Sequence, residues 1–111
     1  MMFIAEASVP TENAKRYVAQ TGKHWAHHLM VEEVGDVRII TFPKNARGAD
    51  WPGEAKVTLQ PVEDALLCRI DASAAGQRDG LKGAVERHVD RFAFREAPLA
   101  FDWVDENAPS S

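Results

Sequence analysis

The chain of 111 residues contains one cysteine, Cys68. A single thiol closes no intramolecular disulfide and supplies no thiolate cluster for a metal, so stability must come from packing. Cys68 lies between Leu67 and Arg69 in an apolar stretch, and a catalytic thiol needs an electropositive, accessible setting. Buried packing is therefore its expected role. Positive charge is also short: 13 lysines and arginines face 17 aspartates and glutamates, for a net charge of −4. That balance argues against a nucleic-acid surface, which needs a basic face. No run approaches the roughly 20 apolar residues that span a bilayer. The start, Met1-Met2-Phe3-Ile4-Ala5-Glu6, has no basic segment ahead of a long apolar one, so it does not read as a secretory leader and the expected location is cytoplasmic. Gly-rich phosphate loops, nucleophile elbows and Ser/His/Asp arrangements are missing too. Nothing in the spacing supports an enzyme.

What is present is ordinary globular material. Hydrophobic residues make up 45% and charged residues 27% of the chain, enough for one modest core. Residues 1–105 are expected to form one domain and residues 106–111 a frayed tail. The first strand is expected over Ile4–Val9. Thr11 and Glu12 then signal a helix start. Ala14, Tyr17, Val18, Thr21, Trp25 and His28 recur at three- and four-residue spacing along that helix, and Gly22 threatens to end it early. Leu29–Val34 and Val37–Phe42 read as a hairpin around Gly35-Asp36. Residues 43–53 read as a loop that carries Trp51, an odd residue to leave in solvent. Ala55–Gln60 and Leu66–Ala72 read as a second hairpin. A second helix is expected after Ser73, with Leu81, Ala84, Val85, His88, Val89 and Phe92 on its apolar face. A last strand is expected over Leu99–Val104. The order β-α-β-β-β-β-α-β predicts an α+β two-layer sandwich: a mostly antiparallel sheet of five to six strands with both helices on one face.

All four histidines fall in two short segments at the ends of these helices, Lys23-His24-Trp25-Ala26-His27-His28 and His88 through Glu96. Imidazole is the commonest metal ligand and titrates near neutrality. His24 with His27, three apart, or with His28, four apart, puts two imidazoles on adjacent turns of one helix face. His88 sits in the middle of an apolar face, where a polar ring needs a partner or a ligand. Parallel packing of the two helices would bring His88 to His24, and antiparallel packing would separate them. Beside the metal reading stands a structural one: a core histidine bonded to a backbone carbonyl, and helix-end histidines favoured by the dipole. Lys23, Arg87, Arg91 and Arg95 are suited to a planar anion or, more simply, to surface pairs with Glu86, Asp90 and Glu96.

The run Lys23-His24-Trp25-x-His27, after a helix with Ala14-Lys15-Arg16-Tyr17, together with His88-x-x-Arg91-Phe92-Ala93-Phe94-Arg95-Glu96, resembles the bacterial domain of unknown function 2218. The resemblance spans about Ala5 to Trp103. It implies a small cytoplasmic protein, in a family whose members also occur next to or fused with siderophore-interacting flavin reductases. The motif histidines carry over as His24, His27 and His88, whereas His28 stands where relatives carry lysine. The resulting expectation is a metal- or iron-chelate-binding accessory protein, with iron or zinc held by His24, His27 and His88. Lys23, Trp25, His28, Arg91, Phe94, Arg95 and Glu96 complete the ligand site. Its partner would be a siderophore-interacting reductase or a small anionic ligand. The alternative is a non-enzymatic interaction module docking through an aromatic-basic surface that includes Trp25, Phe94 and Arg95. A third reading makes the motifs structural locks between helix and sheet.

Overall fold

The structure is a computed structural model that describes residues 2–107. Its elements are β1 (Phe3–Pro10), α1 (Ala14–Trp25), β2 (Met30–Val34), β3 (Val37–Phe42), β4 (Ala55–Val62), β5 (Ala65–Ala72), α2 (Ala75–Phe92) and β6 (Val104–Asn107). A short 3₁₀ turn, Ala46–Gly48, interrupts the loop between β3 and β4. The six strands form one sheet in the order β2-β3-β4-β5-β1-β6, every neighbour antiparallel. This is the α+β sandwich that the alternation of strand and helix signals predicts.

Strand periodicity sorts the two faces. Ala5, Ala7 and Val9 of β1 share a face with Val57, Leu59, Leu66, Cys68 and Ile70 of β4 and β5, and all are buried. Both helices pack there: Ala14, Tyr17, Val18 and Trp25 of α1, and Leu81, Val85 and Val89 of α2, join the same core cluster. The opposite face carries Arg69, which pairs with Glu6 and Asp71 at the surface, and among the described residues no second layer covers it.

Several local expectations are corrected. Gly22 does not end α1, which runs on to Trp25. A Cβ at Gly22 would lie 2.9 Å from Cγ of Arg38, so the glycine is where the helix meets the arginine stem of β3. Thr11 does not cap α1 directly. Asn13 is the N-cap residue and makes no side-chain cap bond, while Thr11 Oγ1 accepts the Asn13 N–H at 3.1 Å. Ser73 likewise sits one residue ahead of the Ala74 N-cap. Its N–H donates to Gln77 Oε1 at 2.8 Å, half of a capping box displaced by one residue.

The last strand is shifted. Residues 98–103 make no ladder, although Leu99, Phe101 and Trp103 alternate like a strand. They run as an arm pinned by Leu99 N–H to Asp90 (3.1 Å) and Trp103 Nε1–H to Glu86 (2.9 Å). Pairing begins at Val104, where Glu6, Ala5, Ile4 and Phe3 meet Val104, Asp105, Glu106 and Asn107. Glu106 and Asn107 therefore belong to the sheet, and of the expected tail only 108–111 lies outside the described residues.

Candidate histidine pair at the helix crossing

The contacts of α1 and α2 fix how the histidine segments meet. His24, near the end of α1, lies against His88 and Phe92, with ring centroids 5.3 and 6.0 Å apart. Glu96, just beyond α2, reaches Thr11, Asn13 and Tyr17 at the start of α1. The helices are thus antiparallel, yet the histidines converge. The reason is stagger: Tyr17 in α1 lies opposite Glu96, beyond the Phe92 end of α2, so seven residues further along α1 His24 comes level with His88.

His88 is held by its own helix and by an aromatic wall. Its Nδ1 lies 2.6 Å from the Ala84 carbonyl oxygen. A carbonyl only accepts, so Nδ1 carries the proton, and in the neutral ring Nε2 is left with a free lone pair. Trp25 flanks the imidazole at 4.8 Å between centroids and meets Phe42 edge-on at 5.4 Å. The backbone-bonded core histidine and the available ring nitrogen are thus features of the same residue. His24 faces it from α1. Its pKa is lowered by burial first, then by the charges of His88 and Arg91. The neutral imidazole, the form that ligates metals, is therefore favoured there.

The other candidates scatter. His27 and His28 are exposed in the turn after α1 and face each other, at 6.5 Å between ring centroids. The expected three-histidine set does not assemble: among the described residues no three His, Cys, Asp or Glu side chains are grouped to hold a metal ion. Lys23 lines a hollow with Ala19, Gly22, Val31, Glu33 and Arg38, on the side of α1 that meets β2 and β3. Arg91 is exposed and close enough to His24 to shift its titration. Trp25, expected on a docking surface, is only 6% exposed and packs in the core. Burial removes it from that surface. Phe94 is 72% exposed, with the Arg95 guanidinium 5.8 Å over its ring, and both border a hollow shared with Arg16, Tyr17 and Gln20.

Glu96 is a clasp rather than a free ligand group. Its carboxylate accepts the Thr11 hydroxyl at 3.0 Å, the Asn13 amide at 3.1 Å and the Tyr17 hydroxyl. The Tyr17 bond, then Asn13, hold the Glu96 pKa below the usual carboxylate value, against an opposing cost of burial. The same bond, with burial and the Glu96 charge, raises that of Tyr17. Sequence reading missed Thr11, Asn13 and Tyr17. The available signal was Tyr17 itself, since a tyrosine on a buried face brings a hydroxyl that needs a partner. Cys68 packs as expected, and burial alone pushes its thiol pKa up to about 12.

The architecture is a small α+β sandwich: an open antiparallel sheet, two helices on one face and an imidazole pair where they meet. The chain belongs to the family described as uncharacterised proteins conserved in bacteria, DUF2218, whose model matches residues 6–104. A solved structure, the NMR structure of PA4090 from Pseudomonas aeruginosa, shares this fold with a TM-score of 0.67. It is 24% identical, and the match covers 97% of this chain and 99% of that one. No curated protein matches the sequence. Among the described residues no helix is long and apolar enough to cross a membrane.

Proposed function

We propose that the protein binds a metal chelate through His24 and His88, as an accessory in iron or siderophore handling. The observation that carries the proposal is the meeting of two imidazoles from separate helices, 5.3 Å apart, one with its Nδ1 tied to a carbonyl. Tying one ring nitrogen to a backbone carbonyl is how proteins commonly orient the other toward a metal. Two ligands are too few for a bare ion, which takes three or four protein groups at zinc sites. Two suffice when the metal arrives with other positions already filled by a chelator. The exposed guanidinium of Arg91 beside His24 suits the anionic rim of such a complex. A siderophore-interacting reductase, the company the family resemblance implies, is the corresponding partner.

The test is calorimetric titration with nickel(II) nitrilotriacetate, a chelate that leaves two coordination positions open. Stoichiometric binding is expected, weakened at least tenfold by either His24→Ala or His88→Ala and unchanged by His27→Ala. Binding that survives His88→Ala, or is lost with His27→Ala, overturns the assignment.

The interaction-module reading keeps one observation in its favour: Phe94, 72% exposed, lies beneath Arg95. Exposed aromatics and arginine are common interface anchors. With Trp25 buried, the proposed docking surface contracts to Phe94 and Arg95. Loss of reductase binding in Phe94→Ser, with chelate binding intact, is the result this reading expects.

A further inference from the structure

A second feature lies on the other side of the Trp25 wall. The loop between β3 and β4 folds over the first half of α2 and leaves a cavity of about 210 Å³. Phe42, Pro43 and Trp51 form its wall, and Gly80, Leu81 and Ala84 of α2 form its floor. The loop closes on itself through its own backbone: Trp51 N–H donates to the Lys44 carbonyl at 3.0 Å, and Ala46 N–H to Pro43 at 3.0 Å. The rim is thus already built.

The glycines of α2 bear on what the cavity is for. Glycine inside a helix costs roughly 0.5–1 kcal/mol relative to alanine. Gly76 has a packing reason, because a Cβ there would lie 3.0 Å from the Trp51 ring. Gly80, one turn later, has none: a Cβ would meet nothing within 4 Å. Gly80 is exposed and borders the cavity. A larger side chain at this edge of the cavity therefore has room to reach over it.

The lining also says what the space would hold. Among the described side chains Gln77 is the polar one bordering it, and its amide is already engaged. Its Oε1 accepts Ser73 N–H, and its Nε2 donates to the Gly53 carbonyl at 3.0 Å. Ala46, Ala49, Leu81 and Ala84 make the rest of the described lining apolar, and such a surface offers an ionic guest little to replace its hydration. Two aromatic side chains, Phe42 and Trp51, offer ring faces and edges instead. For scale, a dry cavity of roughly 150 Å³ holds benzene. We infer that this cavity is a binding site for a small neutral aromatic molecule of one or two fused rings, with Trp51 as its lid and Gly80 as its opening in the helix.

The inference does not rest on the histidine pair, and metal-free protein tests it. Indole and 2-naphthol are titrated into ¹⁵N-labelled protein, with cyclohexanol as the non-aromatic comparison. The expected result is saturable binding with a submillimolar Kd and amide shifts concentrated at Phe42, Trp51, Gly80 and Ala84. Gly80→Leu should weaken binding at least tenfold while leaving Tm unchanged or higher, since leucine fills the space and favours the helix. His88→Ala should leave binding intact. Three results overturn the inference: no saturation, equal binding by a Gly80→Leu protein of native Tm, or cyclohexanol binding as tightly as the aromatics.

Discussion

Removing the carboxylate of Glu96 should open the clasp that ties the end of α2 to the start of α1. Glu96 accepts three donors, from Thr11, Asn13 and Tyr17, and both the Thr11 and Tyr17 residues are buried, at 6% and 4% exposure. A hydrogen bond to a charged group contributes about 1.5–3 kcal/mol where water is excluded. The Glu96 side chain itself is exposed, so water competes for all three donors and screens the charge. The three together are therefore credited with about 2 kcal/mol, not with three full bonds. Glu96→Ala should cost about that much, near 8 °C in Tm for a domain of this size. Glu96→Gln, which keeps the shape and loses the charge, should cost about 1 kcal/mol. Because the folded pKa of Glu96 is lowered, the charge-dependent part is present above the unfolded value of about 4.3 and fades as pH falls through the folded one. Thermal melts followed by circular dichroism from pH 3 to pH 8 check this. The gap between wild type and Glu96→Gln should close below about pH 4, and Tyr17→Phe should add little once Glu96 is gone. A gap that is absent at pH 7, or constant with pH, refutes the clasp.

Other outcomes follow from the same geometry. The lowered pKa of His24 means its contribution to stability is present above the unfolded value of about 6.5 and is lost as pH falls through the folded one. Melts from pH 7.5 to pH 5 should fall for wild type more steeply than for His24→Phe. Gly22→Ala should destabilise by about 1 kcal/mol despite better helix propensity, because the new methyl meets Cγ of Arg38, near that side chain's root. Denaturant midpoints of Gly22→Ala and of Gly22→Ala with Arg38→Ala check it, and the second change should restore part of the loss. Cys68, with its thiol pushed up to about 12, should ignore a thiol reagent at pH 8 until denaturant is added; rapid native labelling would contradict its burial.

Element identity was legible wherever periodicity was unbroken. The strand pairs around Gly35 and Asp64, both with positive φ, and the apolar stripe of α2 follow directly from spacing. The final strand was not legible, because Leu99, Phe101 and Trp103 alternate for a different reason. They lie against the core from one side of an unpaired arm, while the true strand is the acidic Val104–Asn107. The meeting of His24 and His88 was half legible. Spacing picked the residues, but the direction and stagger of the helix packing decide their approach. Glu96 reads as a ligand group in the sequence because its partners lie 79 to 85 residues away, beyond any local pattern.

The central claim is that His24 and His88 act together on one metal. A long-range ¹H–¹⁵N spectrum of the histidine side chains, recorded with and without zinc(II) nitrilotriacetate, tests it at the atoms concerned. The account predicts that ring nitrogens of His24 and His88, Nε2 in the latter, shift together with one saturation curve while His27 and His28 stay in place. Shifts confined to His27 and His28, or no shift at any ring, would contradict it.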